Sequence, residues 1–205
     1  MPRRKQEVYD ERRLQIIDGA LKVFASKGFA DATNKDIATA AQINSPGLIY
    51  HYFADKADLL RAVIEHYAPP MQLLAQTEML MTLPPEQALS RFGQAYLLLM
   101  DDPKIGACLR VLMGEAMRSP KFAEILGEHG PLRFWKLIAT YLQRKMDEGV
   151  LQRTDPMIAA RCFVGPLVTY VLGRNIIQMS SDAYIDGQLL LTTHIGIFLH
   201  GLQIA

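Results

Sequence analysis

The stretch from Ala32 to Phe53 constrains the fold most, because it contains two helix starts and a turn within very few residues. Thr33 is followed three residues later by Asp36, which is the spacing of a capping box: the hydroxyl accepts a bond from a backbone N–H, and the carboxylate lies at the positive end of a helix. A helix is therefore predicted to begin at about Asn34 and to end near Gln42.

A second helix is predicted over residues 46–52, because Ser45 suits the N-cap and Pro46 suits the first helical position, where its missing N–H costs nothing. Ile49 and Phe53 are four residues apart and share one face, which we expect to be buried. Other side chains of this helix point away from that face: Gly47, Leu48, Tyr50 and His51. A short helix supported by a preceding one and facing outward is the arrangement of a helix-turn-helix, whose second helix enters the major groove of DNA.

At these residues the chain resembles the TetR family of bacterial transcriptional regulators. The motif residues that carry the resemblance are Gly28-Phe29, Thr33, Asp36-Ile37-Ala38, Ala41, the run from Ser45 to Phe53, and Lys56 through Leu60. The resemblance covers about the first 65 residues. It implies an all-α fold, with an N-terminal three-helix helix-turn-helix domain over residues 1–68 and a C-terminal helical bundle over residues 69–205.

The predicted DNA-binding residues surround one groove. They are Thr33, Asn34, Ser45, Pro46, Gly47, Leu48, Tyr50, His51 and Lys56. Gly47 and Leu48 are expected to approach base edges, whereas Tyr50 and His51 are expected to contact the DNA backbone. Lys56 is expected to contact a phosphate, because it stands at a helix start that a phosphate can share.

This chain departs from the family pattern at the turn and on the second helix. The turn Gln42-Ile43-Asn44 is one residue longer than the commonest form, and Gln42 replaces the usual glycine, so Asn44 becomes the candidate for the left-handed conformation. Pro46 and Leu48 replace the family's frequent Lys and Thr, which removes one phosphate contact and offers an apolar group to a thymine methyl.

Charge gives a weak signal, because the formal net charge is only +1. Arg3, Arg4 and Lys5 cluster before the first helix, which is predicted over Val8 to Lys27 and closed by Gly28. This N-terminal arm either lies along phosphates or in the minor groove, or is a solvated disordered tail.

Enzymatic and metal-binding motifs are not found in the sequence. The histidines have no ligand spacing, and Cys108 and Cys162 lie alone in apolar helical patterns, which favours two buried thiols in a reducing compartment over a disulfide. A charged N-terminus without an apolar stretch predicts no signal peptide, and no transmembrane run occurs. We therefore expect a cytoplasmic protein that is not an enzyme, with no cofactor and no membrane association.

Beyond a helix that Asp55 caps, the double proline Pro69-Pro70 marks the predicted domain boundary. Further helices are predicted over 71–81, 85–100, 103–117, 120–148 with a candidate break at His129-Gly130-Pro131, 156–179 and 184–203, and proline stands near several of their starts. The total is about nine helices.

The second region is rich in aromatic residues and methionine, which either form an ordinary core or line an adaptable apolar pocket. The predicted ligand-binding residues are Phe92, Tyr96, Met113, Met117, Trp135, Phe163 and Tyr170, with Arg110, Glu115, Arg174 and Asn175 as polar candidates. The run from Arg110 to Val171 is similar to the AefR branch of the family, which implies an effector-binding and dimerisation domain.

The last two predicted helices are expected to form a dimer interface. Its candidate residues are Leu190, His194, Ile197, Phe198 and Gly201, an apolar face that a one-layer bundle leaves uncovered. The overall expectation is a homodimeric repressor that binds a near-palindromic operator in double-stranded DNA and is released by a small hydrophobic effector. The alternative is a ligand-binding or protein-interaction module without DNA affinity.

Overall fold

The computed structural model describes residues 3–100, 103–174 and 185–202. All regular structure in these residues is helical, and no strand occurs among them, which confirms the all-α prediction. The α-helices are α1 (Arg3–Lys27), α2 (Asn34–Ala40), α3 (Ile49–Tyr52), α4 (Lys56–Tyr67), α5 (Pro69–Gln72), α6 (Thr77–Thr82), α7 (Pro85–Leu97), α8 (Pro103–Arg118), α9 (Pro120–His129), α10 (Pro131–Asp147), α11 (Pro156–Leu172) and α12 (Gly187–Gly201). Turns of 3₁₀ helix cover Pro46–Leu48, Leu73–Gln76 and Leu98–Met100.

Helices are more numerous than predicted because two expected helices are divided. A 3₁₀ turn separates α5 from α6, and Gly130 separates α9 from α10. Gly130 is buried, and a Cβ there would lie 3.1 Å from the Leu126 carbonyl oxygen, a tight contact that would require the end of α9 to shift slightly. Helix α1 begins at Arg3, earlier than the predicted Val8, so helical backbone extends into the predicted arm. The predicted ends at Met179, Tyr184 and Gln203, and Asn175, lie outside the described residues.

The chain divides into two compact units, and the division does not follow chain order. The first unit contains Met1–Ala68 together with Lys104–Gly130, and the second contains Pro69–Pro103 and Pro131–Ala205. One boundary lies between Ala68 and Pro69, where α4 ends and the double proline begins.

The core of the first unit combines α1, α2 and α4 with α8 and α9. Phe24, Ile37 and Leu59 are fully buried in it, and they share one cluster with Cys108 of α8 and Phe122 of α9. Burial of these apolar side chains is the main force that holds the helix-turn-helix in place, because each Å² of apolar surface removed from water contributes roughly 25 cal/mol.

The core of the second unit is aromatic. Phe92 of α7 meets Phe134 and Tyr141 of α10 edge to face, with ring centroids 5.8 and 5.7 Å apart. The buried Tyr141 hydroxyl donates to the Leu83 carbonyl oxygen at 2.9 Å, which satisfies its polar atom. Helix α12 packs on α7 at Gly93, where a Cβ would collide with the Leu191 side chain.

Among the described helices, none combines the length and apolarity that crossing a lipid bilayer requires.

Candidate nucleic-acid interface

Helix α2 begins with the predicted capping box. The Thr33 hydroxyl accepts from the Asp36 N–H at 3.1 Å, and an Asp36 carboxylate oxygen accepts from the Thr33 N–H at 3.2 Å. The Lys27 ammonium, 2.7 Å from this carboxylate, and then the Thr33 hydroxyl lower the pKa of Asp36 to about 2. The carboxyl is therefore ionised at neutral pH and fixes the start of α2.

The turn after α2 differs from the prediction. Gln42 itself takes the left-handed conformation, with φ of 54°, so the expectation that Asn44 would do so is wrong. The Ile43 N–H donates to the Ala38 carbonyl oxygen at 3.0 Å, the bond that defines a Schellman ending, and the Ile43 side chain is buried. Burial of Ile43 explains why Gln42 accepts a conformation that usually favours glycine.

The recognition segment, residues 45–53, presents an exposed surface over a buried one. Its first half is the 3₁₀ turn and its second half is α3, so the single predicted helix over 46–52 is only partly α-helical. Ser45 has the extended backbone of an N-cap but makes no side-chain capping bond. Ile49 and Phe53 are buried as predicted. Ser45, Pro46, Gly47, Tyr50 and His51 are exposed, Tyr50 to 64%, whereas Leu48 is half-buried and packs partly on the core.

Helix α1 supports this segment through residues that the sequence analysis did not select. The Tyr9 ring lies 4.6 Å from that of Tyr52 and 6.3 Å from that of His51, centroid to centroid. The Arg13 guanidinium lies 5.1 Å from the Phe53 ring centroid, at cation–π distance. The sequence signal for these contacts is the spacing of Tyr9 and Arg13, because residues four apart share one face of a helix.

Lys56 and Thr33, two predicted phosphate ligands, also have bonds within the protein. The Lys56 ammonium donates to the carbonyl oxygens of Ala30 and Ala32 at 3.0 and 3.1 Å, and lies 4.7 Å from the Phe29 ring centroid. An ammonium has three donors, so one remains after these two bonds. The Thr33 hydroxyl donates to Asp36 at 2.7 Å, a bond with which a phosphate would compete. Asn34 is half-buried at the start of α2.

Glu115 of α8 binds backbone N–H groups in the loop between α1 and α2. Its two carboxylate oxygens accept from the Phe29 N–H at 2.5 Å and the Ala30 N–H at 2.7 Å. Only 7% of the residue is exposed. Glu115 was a polar candidate for the ligand site, and in the structure both of its oxygens accept from the α1–α2 loop of the first unit.

The predicted ligand-binding residues are divided between the two units. Phe92, Tyr96 and Trp135 lie together in the second unit, where the Trp135 Nε1–H donates to the Tyr96 hydroxyl at 3.0 Å. Burial raises the pKa of Tyr96 to about 12, against the effect of that bond. Phe163 stacks on His194 of α12, and half-buried Tyr170 approaches Gly187 with its hydroxyl. Met113 and Met117 belong to the first unit, and Met117 is 86% exposed.

Metal and thiol chemistry have no visible centre in the part of the chain that the structure describes. No group of three or more His, Cys, Asp or Glu side chains there could hold a metal ion. Burial raises the pKa of the Cys108 thiol to about 12. Cys162 is exposed on α11, so the prediction of two buried thiols is wrong for this residue. The apolar residues around Cys162 in the sequence predicted burial, but the apolar surface of α11 is wider than the part of this helix that other helices of the chain cover.

The capped α2, the Schellman turn and the outward recognition segment define a helix-turn-helix protein of the DNA-binding class. Two family models match the chain: bacterial regulatory proteins of the tetR family over residues 16–63, and the C-terminal domain of AefR-like transcriptional repressors over residues 87–188. The chain belongs to the TetR family of transcriptional regulators, as the sequence predicted.

Relatives and solved structures agree with this assignment. The transcriptional regulator HbdR of Aromatoleum sp. (strain CIB) is 46% identical over 54 residues, which is 26% of this chain and 23% of that protein. The transcriptional regulator SrpR of Pseudomonas putida is 37% identical over 73 residues, which is 36% of this chain and 34% of that protein. The chain thus spans well under half the length of these curated relatives.

The fold extends over nearly the whole chain. A TetR-family regulator from Mesorhizobium loti MAFF303099 superimposes with a TM-score of 0.72 at 23% identity, over 94% of this chain and 97% of that one.

Proposed function

We propose that this chain is a transcriptional repressor that binds a near-palindromic operator in double-stranded DNA as a cytoplasmic homodimer and is released by a small hydrophobic effector. The observation that carries the proposal is the recognition segment, whose exposed residues lie over a core in which Ile49 and Phe53 are buried. Tyr50 is 64% exposed, and His51 is exposed beside the Tyr9 and Tyr52 rings, so both side chains are accessible to a groove of DNA.

Roles within the interface follow from exposure and from the bonds already made. Gly47 and the exposed part of Leu48 are assigned to base edges, and Tyr50, His51 and the third donor of Lys56 to phosphates. Thr33, Asn34, Ser45 and Pro46 complete the predicted surface around the groove. Phosphate contacts supply affinity for any sequence, whereas contacts from Leu48 supply preference among sequences.

A homodimer is supported by the surfaces of α11 and α12. Ile197 is 69% exposed and Gly201 is exposed, while Leu190, His194 and Phe198 are half-buried. A Cβ at Gly165 or Gly196 would meet nothing within 4 Å, so both glycines line open surface where another backbone could approach closely. A two-fold dimer places two recognition segments about 34 Å apart, one turn of DNA.

The aromatic cluster of the second unit supports a hydrophobic effector. Phe92, Tyr96 and Trp135 combine apolar surface with the hydroxyl and N–H groups that a pocket needs to orient a ligand. A structural neighbour, the regulator FadR of Bacillus subtilis, was solved in complex with stearoyl-CoA; its TM-score is 0.69 at 20% identity, over 92% of this chain and 98% of that one. An identity of 20% supports only a common fold. We nevertheless choose stearoyl-CoA as the first compound to test, because a protein of the same fold was solved with it.

Selection from a random-sequence DNA pool tests the proposal directly. The purified chain should enrich duplexes with two related half-sites, and the logarithm of its affinity for them should fall linearly with the logarithm of salt concentration. Failure to retain any duplex above the pool background, at low salt, would instead support the alternative of a module without DNA affinity.

A further inference from the structure

Helix α8 belongs by sequence to the C-terminal family domain and by its packing to the DNA-binding unit. Its residues fall within the segment 87–188 that matches the C-terminal domain of AefR-like repressors, yet from Lys104 on they belong to the compact unit that contains the helix-turn-helix. Cys108 and Leu112 of α8 are buried in the same core as Phe24 and Ile37. A helix from the effector-binding part of the family therefore packs among the DNA-binding helices.

The polar contact of α8 with the helix-turn-helix is made by Glu115. Its carboxylate binds the N–H groups of Phe29 and Ala30, which follow Gly28 in the left-handed conformation, with φ of 86°. Successive N–H groups after a left-handed residue form a concave site for an anion. In the α1–α2 loop, residues 28–33, this anion is a side chain of α8.

Two oppositely charged side chains thus hold one loop. Glu115 binds N–H groups of the loop, and the Lys56 ammonium binds the carbonyl oxygens of Ala30 and Ala32. The loop ends at Thr33, the N-cap of α2, so its position determines where α2 begins. Because hydrogen bonds to a carboxylate are strong and short, a displacement of α8 must either carry the loop with it or break both Glu115 bonds.

We propose that Glu115 is the positioning residue through which α8 sets the DNA-binding competence of the helix-turn-helix. With both bonds made, the loop is fixed and the recognition segment is presented to DNA. When α8 moves, the carboxylate leaves Phe29 and Ala30, the start of α2 is no longer fixed, and affinity for DNA falls. This inference rests on the proposed function and adds the residue that holds the helix-turn-helix in its DNA-binding form.

The test uses Glu115→Gln in the full chain. Glutamine has nearly the same shape, but it offers one oxygen and one NH₂ group, so one backbone N–H faces another donor. The probe is the duplex that the wild-type chain selects from the random pool. We expect Glu115→Gln to bind it at least about tenfold more weakly at a temperature where circular dichroism finds the variant fully folded.

Exposed Glu124 on α9 provides the matched control, because Glu124→Gln makes the same chemical change in the same unit without touching the loop. It should bind within about twofold of the wild type. If Glu115→Gln does not fold, Glu115→Asp makes the same test, because it keeps the charge but is too short to reach both N–H groups.

A second measurement separates coupling from a merely structural role. Coupling is reciprocal, so adding the duplex to the wild type should slow amide hydrogen exchange in α8 as well as in the loop. In Glu115→Gln, at DNA concentrations that saturate the variant, the slowing in α8 should be lost. Wild-type affinity in Glu115→Gln, or slowing of α8 that persists in it, would overturn the inference. A wild type that selects no duplex would overturn the proposed function instead.

Discussion

At Gly19 a single hydrogen atom stands where α1 passes the end of α2. A Cβ built there would lie 2.7 Å from the Ala41 backbone nitrogen and 2.9 Å from its Cα, and backbone cannot move aside as a side-chain tip can. The contact was not predictable from the sequence, in which a glycine inside a helical pattern equally indicates local weakness.

Replacement of Gly19 by alanine should therefore destabilise the chain although alanine favours helix. The intrinsic preference is worth about 1 kcal/mol, and forced overpacking costs about 1–3 kcal/mol, so a net loss is expected in urea unfolding. Gly127 of α9 is the control, because a Cβ there meets nothing within 4 Å. Gly127→Ala should be neutral or raise the free energy of unfolding, and equal behaviour of the two variants would contradict the close approach.

At the scale of elements, the recognition segment allows contributions from phosphates and bases to be separated. Tyr50→Ala and Lys56→Ala should each weaken operator binding, and Lys56→Ala should also lower the slope of log affinity against log salt by about one unit, since one phosphate contact is lost. Leu48→Ala should change the selected sequence more than the salt slope. Gel-shift titrations at several salt concentrations measure both quantities.

Lys136 is exposed on α10, outside the DNA-binding unit, and Lys136→Ala controls for the loss of one positive charge. It should keep the wild-type slope. Operator affinity within twofold of wild type for both Tyr50→Ala and Lys56→Ala would mean that the DNA-binding face is assigned to the wrong side of the segment.

The same elements show what the sequence could predict. The capping box at Thr33 and the N-cap at Asp55 each join residues three apart, so the local sequence predicts their bonds. The left-handed Gln42 depends on burial of Ile43 by distant residues, which overrides local preference. The location of α8 in the first unit was missed for a related reason: an amphipathic pattern shows that a helix has a buried face, but not which neighbour covers that face. The pattern therefore did not indicate that Glu115 and Met113, both candidates for the ligand site, belong to the first unit.

At the scale of the whole molecule, dimerisation should depend on the exposed faces of α11 and α12. Ile197→Glu would bury an unpaired charge twice in a two-fold interface, which costs about 3 kcal/mol or more and raises the dimer Kd more than about a hundredfold. Sedimentation should then detect monomers, with operator affinity reduced because each operator needs both recognition segments. Val150→Glu, an exposed site outside α11 and α12, is the control. A persistent Ile197→Glu dimer would place the interface elsewhere.

The proposed induction by a hydrophobic effector can be tested at the aromatic cluster, and Trp135 reports on that cluster because it is the only tryptophan. Its Nε1–H donates to the Tyr96 hydroxyl and the Arg161 guanidinium lies 5.8 Å from its ring, so a ligand that inserts among these groups should change the fluorescence. Stearoyl-CoA is the first compound to titrate.

An effector can shift the DNA-competent population only by its differential affinity for the two states, and a coupling of about 1–3 kcal/mol corresponds to roughly 5- to 150-fold weaker operator binding. Fluorescence change and operator release should therefore share one midpoint, and operator DNA should weaken effector binding by the same factor. Tyr96→Phe removes the acceptor of Trp135 while keeping the ring, so it should alter the fluorescence and effector affinity but leave operator binding without effector unchanged. If compounds change Trp135 fluorescence but do not alter operator affinity, the aromatic cluster is not the site of induction. Because coupling is reciprocal, operator DNA would then leave the affinity for those compounds unchanged as well.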